Sequence, residues 1–256
     1  MEDGVERGIL ATASYPWRRQ HHLILAVLLL LAAAAWALLI WQSTSMDEGM
    51  EVEAMAPPMV FLAGWAVMMV AMMFPSAAPM ILMFARIHEG RRQRGQPFVP
   101  TPVFVLPYVA VWTLFGLAAY AAAIPVGAAI QEWPWLAQNA ARGLGVLLAL
   151  TGLYQLTPLK GVCLSKCRSP LGFLLAGWRD GYRGAVRMGA EHALYCLGCC
   201  WLLFVILFPL GLMQLGAMAL ITAFILVEKT LPAGRQIGRL AAVVLIAWGI
   251  VVAAIG

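Results

Sequence analysis

Charge is what this chain has least of. Only 11% of its 256 residues are Asp, Glu, Lys or Arg, and 62% are hydrophobic. A soluble globular chain carries about 25% charged residues and about 45–50% apolar ones. So little charge cannot cover a water-exposed surface, and one buried core does not account for half a dozen apolar runs. Lipid is the expected solvent for most of the surface. Several catalytic signatures are missing as well. There is no Gly-rich phosphate loop ending in Gly-Lys-Ser/Thr, no Gly-x-Ser-x-Gly turn and no His-Glu-x-x-His pair. Nothing resembles a hydrolytic triad. The centres of the apolar runs carry no charge, which argues against a proton-coupled carrier built on buried carboxylates. No internal repeat marks an inverted-repeat transporter.

The charge that is present is sorted along the chain. Every Lys and Arg except Arg142 falls in one of four groups: Arg7 to Arg19, Arg86 to Arg94, Lys160 to Arg187, and Lys229 to Arg239. The intervening loops hold Asp47, Glu48, Glu51, Glu53 and Glu132 instead. The positive-inside rule then predicts cytoplasmic basic loops and a cytoplasmic N-terminus. Membrane topology explains the pI of 9.1, so nucleic-acid binding is not expected. The first apolar run, His22 to Trp41, lacks a small-residue cleavage site and reads as a true span.

The runs predict an all-α polytopic bundle of about seven spans, at 23–41, 59–85, 103–124, 142–158, 193–209, 212–227 and 239–255. Helices are required because backbone groups in lipid must be satisfied within the segment. An acidic linker from Asp47 to Pro58 divides the chain into an N-terminal part, 1–56, with an accessory helix, and a six-helix domain, 57–256. Pro75 and Pro79 predict a kink or break in the second span. Trp178, Arg179, Tyr182, Arg183 and Arg187 predict an interfacial helix within 170–191.

All five cysteines lie in two clusters at the basic ends of expected spans, Cys163-x3-Cys167 and Cys196-x2-Cys199-Cys200. On a helix, His192, Cys196, Cys199 and Cys200 form one stripe at i, i+4, i+7 and i+8. Cys163 and Cys167, at i and i+4, also share a face. Thiolates and imidazole suit Cu(I) or Zn(II), and sulfurs from two elements can close a tetrahedral shell. Two other readings remain open for these residues. One is a thiol–disulfide relay, since Lys160, Lys166 and Arg168 flank the first cluster and reactive thiols need nearby cations. The other is inert packing, since free cysteine is commonly buried. Structural disulfides are not expected in a reducing cytoplasm.

Three further groups border this region. Lys160, Glu228 and Lys229 read as charges around the cysteines, with Glu228-Lys229 an anchor or a structural ion pair, or else a group that neutralises Lys160 or supplies an oxygen ligand. Met69, Met72, Met73 and Met80 offer a thioether path for a soft ion, or simply flexible filling of the core. His21 and His22 read as interfacial, and His88, among arginines, as solvated.

Four motifs occur in a specific order: Trp65-Ala-Val-Met-Met-Val-Ala-Met-Met-Phe-Pro75; Tyr154-Gln-Leu-Thr-Pro-Leu-Lys160 leading into Cys163-Leu-Ser-Lys-Cys167-Arg-Ser-Pro170; Tyr195-Cys-Leu-Gly-Cys-Cys-Trp201; and Glu228-Lys229. In these the chain resembles a bacterial family of predicted metal-binding integral membrane proteins, over residues 57–256. The resemblance implies a multi-pass protein of the bacterial inner membrane with a shared metal site. It implies no particular metal, reaction or protein partner. The expected activity is therefore binding of a soft metal, Cu(I) or Zn(II), for delivery, sensing or export. The alternatives are a membrane thiol relay or a non-catalytic assembly partner.

Overall fold

The computed structural model describes residues 2–45, 57–211 and 214–256, with side chains of the first helix described from Arg19 to Thr44. Most of the acidic linker, and Met213, lie outside the described residues. Helix is the only regular structure among the described residues: α1 (Glu2–Ser45), α2 (Pro58–Gln93), α3 (Pro102–Glu132), α4 (Pro134–Gln138), α5 (Ala140–Gln155), α6 (Pro158–Arg168), α7 (Pro170–Ala176), α8 (Gly181–Val205), α9 (Leu207–Leu210), α10 (Leu215–Thr230) and α11 (Gly234–Ile255).

Among the described residues, five helical segments are long and apolar enough to cross a membrane. They lie in α1, α2, α3, α8 with α9, and α11. A sixth candidate forms if α5 and α6, bent by 64° where they meet, count as one span. The expected run at 212–227 coincides with α10, whose 16 residues reach about 24 Å, short of a hydrocarbon core of about 30 Å. The bend between α5 and α6 has a local cause. Pro158 disfavours helical backbone at Thr157, which is extended at φ −70°, ψ 147°. Thr157 then caps α6, accepting from the Lys160 N–H.

Of the kink or break expected in the second span, the break does not occur. α2 runs unbroken through Pro75 and Pro79. Pro75 has no N–H to offer the carbonyl of Ala71, four residues back. The indole of Trp36 on α1 donates to that carbonyl instead, at 3.2 Å. Pairing from a neighbouring helix is how a membrane segment tolerates an internal proline. The same contact fixes α1 along α2, where Leu39 is fully buried.

The expected interfacial helix at 170–191 is also corrected. Only the short α7 lies there, and Arg183 and Arg187 belong to the opening turns of α8. The chain turns between α7 and α8 with Gly181 at φ +75°, a conformation glycine adopts without strain. Gly189 of α8 then packs directly on the backbone of Phe104 in α3. His88 is buried rather than solvated: its Nδ1 accepts from the Val99 N–H at 3.0 Å and its ring faces Phe84 and Trp178.

Candidate sulfur-rich metal centre

Cys196 is the hub of the site. It sits midway along α8 with no exposed surface. Its sulfur meets Tyr108 Oη of α3 at 3.1 Å and takes a hydrogen bond from Lys229 Nζ of α10 at 3.0 Å. Met73 Sδ of α2 lies 4.0 Å away. The side chains of Cys167 on α6, and of Cys199 and Cys200 on α8, interact with it as well. Five helices therefore place a polar or sulfur atom against one thiol.

The α8 stripe arises from helical spacing alone. Cys199 and Cys200 stand three and four residues beyond Cys196, and their thiols donate back to its carbonyl at 3.1 and 2.9 Å. Cys167 comes from a different element and needs α6 to be held in place. Two contacts do that. Tyr154, at the end of α5, donates to the carbonyl of Gly198 on α8. Arg168, at the end of α6, donates to the carbonyls of Glu228, Leu231 and Pro232, closing the C-terminus of α10. Helix C-termini leave carbonyls without intrahelical partners, and a guanidinium satisfies several at once.

Cys163 lies one turn before Cys167. Its sulfur packs against Gly198, where a side chain would collide with it, and it faces Cys199. His192 is buried among Phe104, Tyr108 and Phe173, and its Nδ1 has no hydrogen-bond partner. It lies one turn before Cys196 without bonding to a sulfur.

The neighbouring pair Glu228 and Lys229 divides between two neighbourhoods. Glu228 grips Lys160 at 2.6 and 2.8 Å, with both residues at least 97% buried. Lys229 turns to Cys196 and to Ser76 Oγ of α2, at 3.3 Å. Met69, Met73, Ser76 and Met80 recur at i, i+4, i+7 and i+11 of α2, so they share a face; Met72 falls at its edge. All four methionines are buried, and Met73 is the one that reaches Cys196. Tyr108 and Ser76 were not foreseen from the sequence. Neither stands near a cysteine along the chain, and only their helical register on α3 and α2 aims them there.

Among the described residues, no group of three or more His, Cys, Asp or Glu side chains is arranged to hold a metal ion. The thiols bond to one another's helix and to Lys229 instead. The donor set nonetheless has one chemical character: buried thiols, one thioether and one ammonium. The thiols and the thioether are soft ligand types, while the ammonium, having no lone pair, contributes only charge.

A copper chaperone family, PpoB2, matches residues 62–252, which include every residue of this cluster. The chain belongs to that family. The match gives a metal-related family over nearly the stretch where the resemblance was expected, and it supports copper over zinc. No curated protein matches the chain, and no solved structure does.

Proposed function

We propose that this copper-family protein is embedded in a membrane and carries Cu(I) as cargo on the Cys196 cluster, for hand-over at the basic end of the bundle. Cys196 and one of Cys167, Cys199 and Cys200 bind as thiolates while the other two stay protonated, Met73 is an auxiliary thioether, and Cys163 is a neighbouring thiol along the route. Following the charge distribution, the basic loops and the N-terminus face the cytoplasm. The bacterial inner membrane is the proposed location.

The observation that carries this reading is the Lys229 ammonium 3.0 Å from the central sulfur. An ammonium opposes a cation site unless the ligands bring excess negative charge. Two thiolates around Cu(I) sum to −1, and Lys229 makes the buried assembly neutral. The same two thiolates around Zn(II) sum to zero and leave the Lys229 charge uncompensated. Burying a net charge is costly, so the arrangement favours a monovalent soft ion.

Anaerobic purification followed by metal analysis tests this. The full chain retains about one copper, as a single site allows. Cys196→Ser abolishes retention, and Lys229→Gln weakens Cu(I) binding by about 10–100-fold, the usual cost of removing a supporting partner. Full copper retention in Cys196→Ser would overturn the ligand assignment. Alkylation trapping separates the relay alternative: a cycling Cys167–Cys196 disulfide without bound copper supports electron transfer instead.

A further inference from the structure

A cavity of about 460 Å³ lies beside the Lys160–Glu228 pair, where α5 bends into α6 and α11 begins. No cysteine lines it, and neither does Lys229, so it is separate from the sulfur cluster. Its charges are unbalanced. Glu228 is committed to Lys160 through both carboxylate oxygens, and that pair is neutral. Arg235 and Arg239 also line the cavity, are exposed, and share one face of α11 at i and i+4. Neither makes an ion pair with any described residue. The cavity therefore carries two uncompensated positive charges. The N-terminus of α6, capped by Thr157, adds its partial positive charge.

A second feature points to the shape of the ligand. Gln155 lines the cavity, and its side-chain oxygen is buried without a partner. A buried acceptor calls for a donor. The wall is also partly apolar: Leu156 and Val162 line it and are half-exposed. Along α11, Leu240, Val243 and Val244 present bare apolar side chains. Free phosphate has no use for that surface, whereas acyl chains do.

We propose that this cavity binds the phosphate headgroup of an acidic membrane lipid, with Arg235 and Arg239 on the phosphate and a headgroup hydroxyl donating to Gln155. Basic pockets between helices at the cytoplasmic side recognise such headgroups. Phosphatidylglycerol has both the net charge and the hydroxyls. Phosphatidylcholine has neither.

Native mass spectrometry of the detergent-solubilised full chain, titrated with each lipid, tests this. Phosphatidylglycerol is retained in preference to phosphatidylcholine. Arg235→Gln with Arg239→Gln weakens it by about 25-fold, from about fivefold for each arginine near an anionic lipid. Arg239→Gln alone gives the fivefold loss should the double variant prove unstable. Copper content is unchanged in these variants, so this result stands apart from the cysteine assignment. Equal affinity for the two lipids, or undiminished phosphatidylglycerol binding in the arginine variants, would overturn the proposal. Binding of inorganic phosphate with the same arginine dependence but no lipid preference would overturn the lipid assignment.

Discussion

Where α5 meets α11, backbone touches backbone. Gly145 lies against Gly249 and Ala253, and Gly152 against Ala242 and Ile246. Where α8 meets α2, α3, α6 and α10 around Cys196, a thiol, a phenol, a thioether and an ammonium meet its sulfur, and the close packing of Gly189 on Phe104 lies two turns away on α8. In the proposed membrane setting, apolar side chains gain nothing by leaving one apolar surface for another, so helices associate by close packing or by polar bonds. The α5–α11 pair uses the first device and the Cys196 junction the second. Small residues cost little to desolvate. Buried charge is expensive, and replacing a buried ion pair by packed apolar groups is often neutral or stabilising. The polar junction is therefore poorly explained by stability and well explained by function.

The largest expected effect comes from unbalancing the charged edge of the junction. Glu228→Ala strands the Lys160 ammonium in a buried position and should cost about 3–5 kcal/mol, read as lowered thermal stability in detergent. Lys160→Met combined with Glu228→Met should recover most of that loss. If the double variant were no better than the single, the pair would be more than a mutual neutralisation.

Crowding the other interface should cost less. Gly249→Ala already sets a methyl against the backbone of Ala149 and Gly145, at about 1–3 kcal/mol for overpacking. Copper per folded chain should stay constant. A copper loss matching that of Cys196→Ser would show that the two regions are not separable.

Met73→Leu sharpens the comparison from the opposite side. The swap nearly conserves volume, so stability should change by less than about 1.5 kcal/mol. Copper affinity, measured by competition with a chelator, should fall by about tenfold if the thioether supports the thiolates. An unchanged affinity would return Met73 to the role of core filler.

The sulfur stripe on α8 was legible because it depends only on helical spacing along one segment. The pairing of Lys160 with Glu228 was within reach, since two charges at helix ends need partners. The turn of Lys229 toward Cys196 was not, because Glu228 and Lys229 adjoin in sequence and nothing local says which neighbourhood each enters. Pro75 misled for a similar reason. A proline predicts a broken helix only while its orphaned carbonyl has no partner, and that partner, Trp36, lies on another helix.

The sequence by itself determined that this chain is helical and apolar, with basic ends and clustered thiols. Those follow from composition and from periods of a few residues, which are properties of a single segment. Tertiary structure alone decided that Cys167, Met73, Tyr108 and Lys229 converge on one sulfur. It did so because carbonyls at a proline and at a helix end, and charges away from water, find their partners only across helices. Satisfying those groups fixes which faces of α2, α6 and α10 turn toward Cys196.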